Sequence, residues 1–301
     1  MKNCLNLANP DKSDIKYKVS KFPDGQQSVT IDVSTVEARG FTPVNIMSHL
    51  NSFEDLELII VANKALREID GVYIVRLYTP YFLGARSDRK FVEGSVNYIK
   101  EVIAPIINAQ NFDKVIVIDP HSDVLEGCIN RFQKLDNVEL VQFALDHIYG
   151  PAPFVQSFDK FAFVSPDGGS LKKVYHVVES LKYTANDVII ASKHRDLVSG
   201  KIVSTNVTIL PEQLGLDLII LDDICDGGRT FNELAKALRA AGATGRIYLV
   251  ITHGIFSAGF LELNANFDGI FCTNSVVDMH DNQFSLANDN KLHKLQQLNV
   301  F

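Results

Sequence analysis

The chain contains no tryptophan, three methionines and four cysteines in 301 residues. Cys4, Cys128, Cys225 and Cys272 are widely spaced and form no CxxC pair, so neither a zinc ribbon nor a dithiol redox centre is encoded. Free thiols in a reducing compartment are the simplest reading, with Cys225 the one that falls among polar residues. Long apolar runs are also missing. The longest, such as 247–251, fall far short of the roughly 20 residues that cross a bilayer. The opening MKNCLNLANPDKSD has no sustained apolar core, which argues against a secretory signal. Positive charge is not in excess: 29 Lys and Arg against 36 Asp and Glu leave a net charge of −7. That balance argues against a general nucleic-acid binder. No low-complexity tract, no long flexible linker and no GxxxxGK[ST] loop occur. A soluble cytoplasmic protein with neither nucleic-acid nor membrane partners is expected.

What is present is ordinary globular composition, 46% hydrophobic and 22% charged, with length for about two domains. Valine- and isoleucine-rich runs alternate with segments of helical period. VIVI at 115–118 and LIIL at 218–221 lack in/out alternation and read as strands buried on both faces. Residues 73–78 and 247–251 are further strand candidates. Phe231, Leu234, Ala235, Leu238 and Ala241 share one helical face, and Gly242 and Gly245 punctuate its exit. A helix over 95–109 is interrupted by Pro105. Strand alternating with helix predicts an α/β fold with parallel sheets covered on both faces. VIVIDPHSD and LIILDDICD both run from a buried strand into acids, an echo of two similar halves. The expected division is 1–145 and 146–301, with PAPFVQSFDKF at 151–161 as the connection.

The stretch LIILDDICDGGRTF at 218–231 carries the most chemistry. In α/β sheets ligands sit beyond the carboxyl ends of the strands. There the following helix offers backbone N–H groups and its positive dipole end to an anion. Gly227 and Gly228 allow close backbone approach, and Thr230 can donate a hydroxyl. Asp222 and Asp223 would repel a phosphate, but carboxylates accept hydrogen bonds well from vicinal sugar hydroxyls. A phosphorylated sugar satisfies both parts of the loop. An acidic turn that merely caps a helix is the alternative.

This loop resembles the phosphoribosyl-diphosphate (PRPP) loop of type I phosphoribosyltransferases and of ribose-phosphate pyrophosphokinases. Other segments bear on the choice between them. FPDGQ at 22–26, on its own a turn before a strand, is similar to the FxDGE segment with which the pyrophosphokinases hold adenine; Phe22, Asp24 and Gln26 occupy its positions, Gln26 in place of glutamate. TPYFLGARSDRKF at 79–91 is similar to their PYxxYARQDR segment; Arg86, Asp88, Arg89 and Lys90 offer a cationic cluster suited to a triphosphate, and Ser87 replaces the family's glutamine at a nucleotide contact. Asp119 and His121 in VIVIDPHSD match the strand end that serves the metal–nucleotide site, and Asp167 in VSPDGGSLKK is a second metal-site candidate. Lys193 and Arg195 in SKHRD match the KxR at the base of a mobile catalytic loop; two cations suit a transferring phosphoryl chain. ITHGIFSAG at 251–259 is similar to the family's THGxFSxGA.

The segments follow the family's order over nearly the whole chain, from Phe22 to about Asn274. The resemblance to ribose-phosphate pyrophosphokinases implies two phosphoribosyltransferase-like domains in a homo-oligomer, with ATP bound at a subunit interface. It implies transfer of the β,γ-diphosphoryl group of ATP to O1 of ribose 5-phosphate, giving PRPP and AMP for nucleotide biosynthesis, with Mg2+ near His121, Asp167 and Asp119. Lys193 and Arg195 would act on the transition state. Asp222 and Asp223 would hold the ribose hydroxyls, and Asp226, Gly227, Gly228, Arg229 and Thr230 the 5-phosphate. The family loop reads DTGGT where this one reads DGGRT, so Gly227 lacks a threonine hydroxyl and Arg229 is an added cation. A catalytically silent regulatory homologue and a PRPP-consuming phosphoribosyltransferase are the alternatives.

Overall fold

The doubly buried valine and isoleucine runs become the strands of two largely parallel sheets in the computed structural model. The structure describes residues 3–38, 41–151, 160–184, 188–195, 202–279 and 294–301; the side chains of 193–195 and 202–205 lie outside this description. The chain divides into two units, Met1–Leu135 with Val300–Phe301, and Asp136–Asn299.

In the first unit, β1 (Cys4–Asn6), β4 (Val44–Met47), β5 (Val75–Tyr78), β6 (Lys114–Ile118) and β7 (Phe132–Leu135) form a parallel sheet in the order β1-β4-β5-β6-β7. Helix α1 (Phe53–Arg67) starts at a reciprocal cap: Ser52 Oγ accepts from Asp55 N at 3.1 Å, and Asp55 Oδ2 accepts from Ser52 N at 2.9 Å. It buries Leu56, Ile59, Ala62 and Leu66 in the core that includes Ile46, Val75 and Leu77. Between β5 and β6 the helix over 98–109 contains one wide turn, Ile99–Ile103, before α2 (Ala104–Ala109). Pro105 explains that turn: it has no N–H to donate, and widening relieves its ring against the preceding turn. A separate antiparallel hairpin joins β2 (Tyr17–Lys21) and β3 (Gln27–Ile31). Short helix α3 (Val124–Cys128) links β6 to β7.

Phe301 belongs to this unit. It is 7% exposed and clusters with Cys4, Met47, Tyr78, Ile116 and Ile118. Its ring lies 4.4 Å from His49 and edge-on to Tyr78, while Lys12 Nζ donates to its backbone oxygen at 3.1 Å.

The second unit holds β8 (Phe161–Ser165), β9 (Val188–Arg195), β10 (Ile202–Val207), β11 (Asp217–Cys225), β12 (Ile247–Gly254), β13 (Gly269–Thr273) and β14 (Leu295–Leu298). They run in the order β10-β9-β8-β11-β12-β13-β14, and β9–β10 is the antiparallel pair. Helices α4 (Val138–Tyr149) and α5 (Leu171–Ser180) pack on Ile219 and Leu221 of β11. On the opposite face, α6 (Arg229–Ala240) and α7 (Leu261–Asn266) pack on Leu218 and Ile220. Because α4 lies in this core through Leu140, Val141, Ala144 and Leu145, the division between units runs ahead of it, after Leu135. Ala241, expected on the buried face of α6, is instead its exposed C-cap, and Gly242 beyond it takes φ +101°. Ala243 N bonds Leu238 O and Gly242 N bonds Arg239 O, the two-bond stop that favours glycine there.

At the amino end of β11, Asp217 accepts from Tyr149 Oη at 2.8 Å and from Arg246 Nη2 at 2.7 Å. The Arg246 guanidinium also lies over the rings of Tyr149 and Tyr248. All four cysteines are free thiols. Burial raises Cys4 to about 11 and Cys272 to about 12, so both are packing residues and poor nucleophiles.

Candidate functional site

In the second unit the site begins as a strand. The acids of LIILDDICD were expected in a turn after 221, yet β11 stays paired with β12 through Asp222↔Ile251, Ile224↔His253 and Cys225↔Gly254. Strand alternation then sends adjacent acids to opposite faces. Asp222 falls on the α6 face with Leu218 and Ile220; Asp223 falls on the α5 face with Ile219 and Leu221. Asp223 is 5% exposed, and Lys173 Nζ from α5 meets its Oδ2 at 2.6 Å. Asp222 is half-buried, and its Oδ1 accepts from Asp223 N at 3.0 Å.

After the acids the chain turns into α6. Gly228 is the helix N-cap, at φ +76°, and its carbonyl accepts from Phe231 N and Asn232 N. Arg229 and Thr230 occupy the first two helical positions, where backbone N–H groups face outward. Gly227 and Arg229 are exposed and Thr230 is half-buried. The loop is pinned from the β12 side. Ser257 Oγ donates to Asp226 Oδ1 at 2.6 Å and Ser257 N to Asp226 O at 3.2 Å, while Ile255 N and Phe256 N bond Cys225 O. Cys225 is fully buried, and burial followed by the Asp222 charge pushes its thiol far up, so it is a spacer within the loop and no nucleophile.

Asp167 follows β8. Its Oδ1 accepts from Gly169 N at 3.0 Å and Ser170 N at 3.2 Å, and its carbonyl accepts from the Ser165 and Ser170 hydroxyls. This turn fixes the start of α5. Lys193 and Arg195 lie on β9, paired with Thr205 and Ile202 of β10; their side chains lie outside the described residues.

In the first unit FPDGQ is the tip of the β2–β3 hairpin. Phe22 N bonds Gln26 O at 2.8 Å, Gly25 N bonds Phe22 O, Asp24 Oδ1 accepts from Gln26 N, and Gly25 takes φ +97°. Phe22 is 52% exposed, with Asp24 and Gln26 also exposed. Gln27, the next residue, anchors the hairpin by donating to Glu54 O and Glu57 Oε2 of α1. Beyond β5, Asp88 is buried and takes a two-point bond from Arg89, at 2.7 Å and 2.9 Å. Arg89 is the main cause holding the Asp88 carboxyl below its usual value, against the upward push of burial; nearby His121 also lowers it. The 85–90 segment and the carboxyl end of β6 are therefore neighbours. Arg86, Arg89, Lys90 and His121 are exposed and Ser87 is half-buried.

Asp119 is buried with φ +39°, a sparsely populated backbone for a residue with a Cβ, and its N–H bonds Leu135 O at 2.8 Å. Among the described residues no group of three or more His, Cys, Asp or Glu side chains forms a metal cage. One carboxylate and one imidazole at a strand end do fit Mg2+, which keeps waters and substrate phosphates as its other ligands.

Residues 154–276 match the family described as Phosphoribosyl transferase domain. The chain is 28% identical to the ribose-phosphate pyrophosphokinase of Mycoplasmopsis pulmonis, covering 100% of this chain and 89% of that one. It is 27% identical to that of Vibrio parahaemolyticus over 86% of this chain and 78% of the relative. Phosphoribosylpyrophosphate synthetase from Mycobacterium smegmatis superposes with a TM-score of 0.74 at 19% identity, over 97% of this chain and 88% of that one. The second unit thus carries a match to the phosphoribosyl transferase domain, and over most of its length the chain is similar to ribose-phosphate pyrophosphokinases.

Against the pyrophosphokinase pattern, one departure in the loop acquires a geometry. Gly227, where threonine is usual, is outside the left-handed region, and a Cβ there would meet Ala258 Cβ and Ser257 Oγ at 3.7 Å, ordinary contact. Gly228 differs: besides its φ of +76°, an added Cβ would come within 3.1 Å of Leu263. Three contributors were not singled out from sequence. Lys173 and Ser257 both lie inside quoted segments, VSPDGGSLKK and ITHGIFSAG, but their partners are distant in the chain. His253 in the latter is buried and hydrogen-bonds Ser275 at 2.8 Å, behind the loop. A cation four residues after a Gly-Gly turn was the available signal for Lys173.

Proposed function

We propose that the protein is a ribose-phosphate diphosphokinase that transfers the β,γ-diphosphoryl group of ATP to O1 of ribose 5-phosphate. The observation that carries this reading is the strand-borne acid pair running into a glycine-capped helix start. It supplies hydroxyl acceptors and phosphate donors within one loop, in a chain that also carries the adenine-side hairpin.

In the proposed reaction the O1 hydroxyl attacks the β-phosphorus, the bond from that phosphorus to the α–β bridging oxygen breaks, and AMP departs with that oxygen. The O1 proton passes to solvent. Holding both reactants in line supplies much of the acceleration, because little covalent chemistry is asked of the protein. Asp222 and Asp223 accept from the ribose hydroxyls, and Asp226, Gly227, Gly228, Arg229 and Thr230 take the 5-phosphate, which leaves O1 presented outward. Phe22, Asp24 and Gln26 hold the adenine, from a neighbouring subunit of a homo-oligomer. Arg86, Ser87, Asp88 and His121 take the nucleotide, and Lys193 and Arg195 offset charge developing on the transferring group. His121, Asp167 and Asp119 are the candidate residues that would hold Mg2+, which supplies charge neutralisation of the polyphosphate when bound.

No helix among the described residues is long and apolar enough to cross a membrane; a cytoplasmic setting for nucleotide biosynthesis belongs to the proposal. The test is incubation of purified protein with ATP, Mg2+ and ribose 5-phosphate, followed by chromatography. Equimolar AMP and PRPP are expected. Absence of both across varied metal and phosphate concentrations overturns the reading in favour of a silent homologue. Base-dependent consumption of added PRPP would instead mark a phosphoribosyltransferase.

A further inference from the structure

The ion pair between Lys173 and Asp223 lies at the edge of an apolar layer and is not part of its packing. The core of this layer is closed by Val174, Val177 and Val178 of α5 against Ile219 and Leu221 of β11. Lys173 sits one residue before the first of these valines, with its side chain 23% exposed, and spans from α5 to the end of the adjoining strand. β8, which leads into α5, is the direct neighbour of β11, with Val164 opposite Ile220. The anchor of this lysine is stiff, because the Asp167 turn fixes the helix start three residues earlier through Gly169 N and Ser170 N.

A carboxylate that is 5% exposed and has a cation 2.6 Å away is a compensated buried charge. Removing one partner of such a pair is far more costly than never having had it. The partner acid Asp222 emerges on the other face and is reached by different neighbours. The two acids of the loop are thus unequal, and one depends on a residue fifty positions earlier.

We propose that Lys173 is a positioning residue for the ribose hydroxyls: its ammonium fixes the direction of the Asp223 carboxylate at the strand end and compensates its charge. This inference rests on the ribose-phosphate reading of the loop. It assigns Lys173 no contact with the reacting atoms.

The experiment measures steady-state kinetics with each substrate varied separately, alongside thermal unfolding. Lys173→Met is expected to raise KM for ribose 5-phosphate by about tenfold or more, the scale of one charge-assisted hydrogen bond. KM for ATP and kcat should each change less than about threefold, since a ribose-side loss is selective. Lys173→Arg, which keeps the cation, should recover most of the affinity. In an Asp223→Asn background, Lys173→Met should add little further loss, because the lysine acts through that carboxylate. If Lys173→Met fails to fold, Lys173→Gln takes its place with the same expected selectivity. Parallel losses for ATP and ribose 5-phosphate, or full additivity with Asp223→Asn, overturn the positioning role while wild-type turnover leaves the reaction standing. Wild-type protein that neither binds ribose 5-phosphate nor forms PRPP overturns both.

Discussion

Gly227 and Gly228 are adjacent at the start of α6, yet they should respond oppositely to a methyl group. At position 228 the backbone sits at φ +76°, and an added Cβ would meet Leu263 Cδ2 at 3.1 Å and Cγ at 3.3 Å. Leu263 is 1% exposed and packed in the core of that face, so it has little room to retreat. A left-handed residue with a Cβ costs about 1–2 kcal/mol and overpacking adds about 1–3 kcal/mol, so Gly228→Ala should lose about 2–5 kcal/mol. At position 227 the nearest atoms are 3.7 Å away and the backbone is not left-handed. Gly227→Ala should therefore be neutral or stabilising by about 0.4–1 kcal/mol, through the unfolded chain. Thermal unfolding followed by circular dichroism separates the two, at roughly 2–4 °C per kcal/mol for a unit of this size. Kinetics extends the comparison: Gly228→Ala should also weaken ribose 5-phosphate, because it moves the helix start. Gly227→Thr, which adds a hydroxyl at the proposed phosphate site, should tighten it by about 3–10-fold. Equal destabilisation of the two alanine variants, or a Gly228→Ala protein that melts with the wild type, would refute the reasoning.

Burial pushes the Asp217 carboxyl up, and hydrogen bonds from Arg246 and Tyr149 more than reverse this, leaving it below its usual value. Its contribution is then present above the ordinary carboxylate value and lost as pH falls through the lowered one. Asp217→Asn should cost about 1–3 kcal/mol at neutral pH, and melting curves of variant and wild type should converge in acid; a gap that widens in acid contradicts the assignment. Phe22→Ala, at an exposed hairpin tip, should leave the melting temperature unchanged while raising KM for ATP by about tenfold, the scale of one aromatic contact; an unchanged KM overturns the proposed adenine role of Phe22. A Cβ on Gly245 would land on the backbone carbonyl of Leu216. Gly245→Ala should thus cost more than about 3 kcal/mol and be visible as lost soluble yield, and a normally folded variant would refute it.

The parallel sheets were legible because doubly buried strands leave unbroken valine and isoleucine runs, as in 115–118 and 218–221. Strand ends were less so. Tyr73, expected in a strand, is 65% exposed and β5 starts at Val75, since an aromatic at a run's edge has the composition of a strand without its pairing. The acids 222 and 223 looked like a turn because polar residues usually end strands, yet pairing to β12 carries the strand past them. What no pattern along the chain contains is the pairing of Lys173 with Asp223 or of Ser257 with Asp226. These bonds join segments 50 and 31 residues apart, and only the sheet order brings them together. The hairpin tip at 22–26 was visible as a turn from Pro-Asp-Gly alone. Its exposure of Phe22 depends on Gln27 tying the hairpin to α1, a tertiary fact.

Phe301 closes a cluster with Cys4, Met47 and Tyr78, so the first unit takes its final side chain from the opposite end of the chain. During synthesis that unit leaves the ribosome first but waits for all of Asp136–Asn299 before the cluster can be completed. At about 5–20 residues per second the wait is on the order of 10–30 s. Through that interval an apolar socket around Met47 and Tyr78 stays uncapped, and a chain cut short before Phe301 would leave it so permanently.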